Sequence, residues 1–315
     1  MVIIVVSAKK FNWKRISVII ITVFFVFSAV SLVVTKAIYD SIFGRYDTPV
    51  SVPQELEELV ENRQICQFNS GENLLTGYYY APEDPSTAYG LVLLAPGFHA
   101  GGDSYLWQIE SLLSYGWGVF TFDATGTLRS EGENQVGFPQ MVLDLEAALK
   151  YVEKEKTFGY NELVLMGHSR GAYAACCLLA QDWDIGAVIS VSGVNSAMEG
   201  IMQTSVNTVG AVSYGNYGSL WLYQTLLFGM DTASLQADEI LAESDVPVLV
   251  IHGTEDDQFP TDKASIISYA DDIPASNVEF LLWEGGHTDL LFDADGTAND
   301  QLMATIHNFL IRSLR

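Results

Sequence analysis

The pentapeptide Gly167-His168-Ser169-Arg170-Gly171 stands between an apolar run, Leu163–Met166, and a run rich in small residues, Ala172–Ala180. The pattern reads as strand, sharp turn and helix, with a serine on the turn. A serine hydroxyl is a weak nucleophile until a fold presents it to a base and gives the oxyanion a place. A strand-to-helix elbow does both, straining the serine backbone and raising Oγ above the sheet edge. Glycines suit positions 167 and 171, because side chains there would collide where strand and helix meet. A base is available at His287, on the Gly285-Gly286 loop that follows the apolar stretch Val278–Trp283. An acid is available among Glu255, Asp256 and Asp257, in the loop after Val246–Ile251. A third loop, Pro96-Gly97-Phe98-His99-Ala100-Gly101-Gly102, can aim the N–H of Phe98 at a developing negative oxygen. The N–H of Arg170, next to the serine, is the second donor. Such a set performs acyl transfer through a covalent serine intermediate.

These groups need a frame that brings distant segments together, and the chain predicts one. Ile65–Phe68 and Leu74–Tyr80 pair around the turn signal Asn69-Ser70-Gly71. Leu91–Ala95, Gly118–Asp123, Leu163–Met166, Ala187–Val191, Val246–Ile251 and Val278–Trp283 read as strands. Several are continuously apolar, as in strands buried on both faces. Between them, Asp103–Tyr115, Thr261–Ala270 and Ala298–Ser313 read as helices, and Phe138, Met141, Val142, Leu145, Leu149 and Val152 keep helical spacing. The expectation is an α/β fold: a mostly parallel central sheet, helices on both faces, and reactive groups at the carboxyl ends of the strands.

From about residue 64 onward the chain resembles the α/β-hydrolase-fold serine hydrolases, the esterase, lipase and serine aminopeptidase group. The resemblance rests on the elbow, on His252-Gly253 with Asp256, Phe259 and Pro260, and on the order serine, acid, histidine. It implies Ser169 as nucleophile, His287 as general base and Asp256 as the orienting acid. The loop from Asp123 to Gly132 is similar to the family's D-x-R-G-x-G-x-S-x-G pattern, with Thr125 and Leu128 departing from it. Position in the family makes residues 195–244 a helical cap over the site. Ser219–Phe228, stopped by Gly229, reads as one of its helices. Trp221, Tyr223 and Phe228, with His99, are the candidate substrate-pocket residues.

The N-terminal region carries a separate signal. Ile16–Val34 has no charged residue, and about twenty apolar residues suffice to cross a bilayer as a helix. Lys9, Lys10, Lys14 and Arg15 precede it, and Lys36 and Arg45 follow. The positive-inside rule therefore puts residues 1–15 in the cytoplasm, a transmembrane anchor at 16–35, a linker at 36–62 and the catalytic domain, 63–315, outside. Cleavage as a secretory signal is the alternative, with Thr35-Lys36-Ala37 a poor cleavage site.

The formal charge of −24 excludes a nucleic-acid partner, since the acidic ectodomain repels phosphate backbones. Cys66, Cys176 and Cys177 make no disulfide framework. Few cysteines and no N-x-[ST] sequon fit a bacterial envelope protein. No metal-ligand spacing and no nucleotide-binding glycine pattern is present, so neither metal nor cofactor is expected. The expected activity is hydrolysis of a carboxylic ester, or of an amide or thioester, on a small-molecule substrate. Two other readings are a peptidase-like enzyme trimming short peptides and a catalytically silent fold used for binding.

Overall fold

The computed structural model describes residues 12–155, 158–274 and 276–314. Most of the expected cytoplasmic N-terminus lies outside them. Among the described residues eight strands form one sheet: β1 (Gln64–Ser70), β2 (Asn73–Tyr80), β3 (Leu91–Ala95), β4 (Gly118–Phe122), β5 (Leu163–His168), β6 (Ala187–Val191), β7 (Val248–Gly253) and β8 (Val278–Trp283). Their order is β1-β2-β4-β3-β5-β6-β7-β8. Only β2 runs against its neighbours; β4, β3 and β5 to β8 are parallel. The α/β-hydrolase expectation is met.

The helices are α1 (Trp13–Ile42), α2 (Glu57–Asn62), α3 (Leu106–Ser114), α4 (Phe138–Lys154), α5 (Arg170–Cys177), α6 (Ala197–Val209), α7 (Tyr217–Ala233), α8 (Ala237–Glu243) and α9 (Asp300–Ser313). α4, α5 and α8 bury apolar stripes against one face of the sheet, and α3 and α9 against the other. β3, β4, β5 and β6 are buried along their whole length, as continuous apolar runs require. Cys176 and Cys177 pack inside α5, where burial pushes the Cys176 thiol up to about 12. They are inert packing groups.

Two expectations are corrected. The stretch Thr261–Ala270 is not a helix: it turns, with Ala264 at φ +62°, and holds only a 3-10 turn at Ile266–Tyr269. The left-handed residue breaks any helix there, while the carbonyl of Ala264 accepts from the N–H of Asn195. The anchor helix does not end at residue 35, and the segment expected as linker, 36–62, begins inside it and ends in the short helix α2. α1 continues unbroken to Ile42 and buries Thr35, Tyr39 and Phe43 on the domain. Phe43 meets Phe98 and Phe138, and Arg45 donates to the carbonyls of Leu128, Ser130 and Gly132. Gly137 leaves the space that the Tyr39 ring occupies, since a Cβ there would overlap the tyrosine hydroxyl. Burying two aromatic rings contributes about 1.5–3 kcal/mol each, which is why the helix docks. Farther along, Leu56 is buried just ahead of α2.

α1 is the one helix among the described residues long and apolar enough to cross a membrane. Its apolar side chains from Val18 to Val33 are largely exposed. The region expected as a cap is helical, formed by α6, α7 and α8 between β6 and β7.

Candidate active site

β5 ends at His168 and α5 begins at Arg170, leaving Ser169 as the single residue of the turn. Its φ of +55° and ψ of −115° lie where a residue with a side chain is strained. The surroundings enforce this. A Cβ on Gly167 would overlap the Gly171 carbonyl, and one on Gly171 would overlap the Ala95 carbonyl. Both glycines are thus needed for strand, elbow and oxyanion loop to approach so closely.

Three loops at the carboxyl ends of β5, β7 and β8 bring the expected residues into one hydrogen-bonded series. Ser169 Oγ lies 2.8 Å from His287 Nε2. His287 Nδ1 lies 2.7 Å from Asp256 Oδ2. A carboxylate can only accept, so Nδ1 carries the proton and Nε2 is left to accept from the serine hydroxyl. The other carboxylate oxygen of Asp256 accepts from the N–H groups of Gln258 and Phe259, both at 2.9 Å. Burial disfavours the Asp256 charge, but hydrogen bonds from His252 and His287 outweigh it and hold the carboxyl below the ordinary carboxylate range. Asp256 is buried, whereas Glu255 and Asp257 are exposed. Geometry therefore separates the three acids that composition left equivalent.

The two N–H groups expected as oxyanion donors are positioned by different means. Arg170 opens α5, so its N–H belongs to a first turn with no acceptor within the helix. Phe98 follows Gly97, whose N–H donates to the Tyr105 hydroxyl at 2.9 Å. The Arg170 side chain is buried beneath the Phe98 ring, 5.6 Å from its centre. Burial lowers this guanidinium to about 10, with Asp144 acting in the opposite direction. His99, at φ +54°, stacks on Phe98 and on Tyr46. Burial and then Arg170 lower its pKa, so it is a neutral wall of the loop.

His168 has a larger part than its place on the elbow suggests. Its Nε2 lies 2.9 Å from the carbonyl of His287, and its Nδ1 3.0 Å from the Tyr105 hydroxyl. The carbonyl must accept, so Nε2 donates and Nδ1 accepts from the tyrosine. The chain Gly97 N–H, Tyr105 O–H, His168 and His287 C=O thereby ties the oxyanion loop to the base loop. Spacing along the chain carries no trace of it, because Tyr105 arrives from another element.

This imidazole must stay neutral, and burial, followed by the neighbouring His287, pushes its pKa down to about 3. Between about 3 and the ordinary value near 6.5 the unfolded chain binds a proton that the folded one refuses. Stability from this group is therefore lost as pH drops from about 6.5 toward 3, by up to about 1.4 kcal/mol per pH unit. His168→Phe should be less stable at pH 7, with buried partners left unpaired, yet should lose this part of the acid sensitivity. Urea midpoints of both proteins at pH 7 and pH 5 test this; an equal drop in both would refute the assignment.

Of the candidate pocket residues, only Trp221 lines the cavity of about 480 Å³ in the cap, with Met198, Met202, Tyr214 and Tyr217. Tyr223 packs edge-on against Tyr39 of α1, and its hydroxyl faces Asp40. Two residues apart on a helix point to nearly opposite sides, so Trp221 and Tyr223 cannot share a wall. Phe228 does not reach this cavity, lying beside Gly229, whose non-helical backbone breaks α7. The cavity wall includes neither Ser169 nor His287. Among the described residues no cluster of His, Cys, Asp and Glu could hold a metal.

A family model described as serine aminopeptidase, S33, matches residues 86–213. No curated protein matches the chain. Among solved structures, an esterase of Pyrococcus furiosus is 18% identical, with a TM-score of 0.62 over 86% of this chain and 98% of its own. Est1E of Butyrivibrio proteoclasticus, solved with ferulic acid bound, is 15% identical, with a TM-score of 0.61 over 79% of this chain and 99% of its own. An acylaminoacyl peptidase of Pyrococcus horikoshii is 16% identical, with a TM-score of 0.57 over 80% of this chain and 42% of its own. These identities speak to fold. The chain thus has the α/β-hydrolase fold, and its serine elbow lies inside a segment similar to the serine aminopeptidases.

Proposed function

We propose that this protein is a serine hydrolase that cleaves a carboxylic ester through an acyl-serine intermediate, held at the outer face of a membrane by α1. The observation that carries the reading is the hydrogen-bonded series Ser169, His287, Asp256 beneath a strained elbow. His287 takes the Ser169 proton as Oγ attacks the ester carbonyl, and the ionised Asp256 stabilises the imidazolium. The N–H groups of Phe98 and Arg170 receive the oxyanion. Collapse expels the alcohol, which takes the proton from His287, and water then repeats the sequence on the acyl-serine.

A peptidase-like activity is the second reading, favoured by the matched family and by Glu199 in the cavity wall. A carboxylate there could meet a substrate amine, although Ser196 and Tyr269 already hydrogen-bond it. A silent binding fold has no need of the assembled series.

A fluorophosphonate probe should label the full-length protein in detergent on Ser169, and the labelled protein should lose its ester turnover. A panel of nitrophenyl esters against aminoacyl and acyl-peptide anilides then separates the two enzymatic readings. Absence of labelling and of turnover on every substrate would leave only the binding fold.

A further inference from the structure

From Gly200 to Met230 the chain has no Asp, Glu, Lys or Arg, although the protein as a whole is strongly acidic. That stretch covers most of α6, the 3-10 turn Ala211–Asn216 and α7 up to its break. Ile201, Met202 and Leu220 anchor it to the core, but many of its other apolar groups face outward. Val212 is 77% exposed, Tyr214 62% and Leu226 70%, while Tyr217, Trp221, Leu222, Leu227 and Met230 are also exposed. The polar Gln224 and Ser213 point inward and are buried. This is the reverse of a helix that covers a core in water. Monomeric proteins in water seldom leave this many large apolar side chains uncovered on one segment.

The neighbour of this face identifies its occupant. α1 packs along α7, and polar contacts fix the level at which they meet. Ser31 Oγ bonds Asn216 and Ser219, and the Asn216 amide donates to Thr35 Oγ1. Ser31 lies within the uncharged run Ile16–Val34, near its outward end. The turn Ala211–Asn216 and the start of α7 therefore sit at the depth of the outer end of the span. Farther out, Tyr223 meets Tyr39 and Asp40, so α7 rises beside α1. Tyr214, Tyr217 and Trp221 are of the types enriched at the boundary between lipid and water.

We propose that the cap segment from Ala211 to Trp221 is a second membrane contact, bedded in the outer-leaflet interface beside α1. The lipid bilayer occupies the part of that face formed by Val212, Tyr214, Tyr217 and Trp221. The inference deepens the functional reading and rests on α1 being a span. On that footing the enzyme's ester is an amphiphile held in the same leaflet, and the cap cavity walled by Tyr214, Tyr217 and Trp221 opens among lipid chains.

Full-length protein in phosphatidylcholine vesicles tests the placement. Lipids brominated near the glycerol end of their chains quench tryptophans at interface depth. The Trp221 contribution is the difference between the protein and Trp221→Phe, and the Trp183 contribution is taken from Trp183→Phe. Trp183 precedes β6, at the amino ends of the strands. Quenching of the Trp221 contribution by about half or more, with the Trp183 contribution unchanged, is expected. Equal, slight quenching of both would overturn the proposal, as would shielding of Trp221 that depends on protein concentration and not on bromine. A second variant, Val212→Glu, should turn over soluble nitrophenyl butyrate within about twofold of the parent. It should lose about tenfold on a long-chain ester carried in the vesicles; equal rates on both substrates would overturn the lipid-borne substrate. Quenching needs no turnover, so an inactive protein would leave it decisive. Failure of the underlying readings is seen separately, as no fluorophosphonate labelling or as full-length protein recovered free of membranes.

Discussion

Ser169→Ala and His287→Ala should each lower ester turnover by roughly three or more orders of magnitude while leaving the fold intact. The serine is an ordinary hydroxyl, so its nucleophilicity depends on transfer of its proton to Nε2 across the 2.8 Å contact. Removing either partner removes that step. The double variant should be little worse than either single one, because the two groups act as a unit. Residual turnover should persist above the uncatalysed rate, from the backbone donors and from binding. The measurement is kcat on a short nitrophenyl ester, with circular dichroism and melting as controls for folding. Near-parental turnover by Ser169→Ala would remove the acyl-serine mechanism.

Asp256→Asn should cost about four orders of magnitude, and Asp257→Asn little. Asparagine preserves the shape of residue 256 but offers an N–H₂ where His287 Nδ1–H needs an acceptor. The imidazole can then turn the wrong tautomer toward Ser169, and the imidazolium formed in the reaction loses its counter-charge. Position 257 points to solvent and touches none of these groups. The same variant bears on stability. A carboxylate held below its ordinary range stabilises the fold above a pH of about 4, and that contribution fades as pH falls toward the folded value. Asp256→Asn should therefore flatten the acid limb of the stability profile. Comparable losses of kcat at 256 and 257 would mean that the acid is misassigned.

Much of this site was legible because each piece is local. Strand, glycine, serine and helix are consecutive in the elbow, and each loop that carries a candidate residue follows an apolar strand that sheet physics must bury. The burial that singles out Asp256 is not local, and resemblance to known hydrolases supplied its register. His168 shows the limit more sharply. Its partners, Tyr105 and the His287 carbonyl, come from two other segments, and nothing in the spacing brings the three together. The docking of α1 leaves a trace in the sequence: Thr35, Tyr39 and Phe43 keep a spacing of four, one face of a helix, across the end of the apolar run. The Thr261–Ala270 stretch erred oppositely, because apolar spacing does not reveal a left-handed residue at 264.

The unbroken passage of α1 into the domain bears on how the molecule can move. A globule on a floppy leash tumbles almost freely and samples every heading. Here the shaft ends in packed rings, Arg45 grips three carbonyls beyond it, and the N–H of Gln135 donates to the Phe43 carbonyl. These contacts oppose a swivel between them. Embedded in a bilayer, such a body keeps a fixed height and tilt, and spinning about the shaft is its main rotation. On the proposed placement, encounters with an ester in the same leaflet become a search in a plane, with Ser169 always at one altitude.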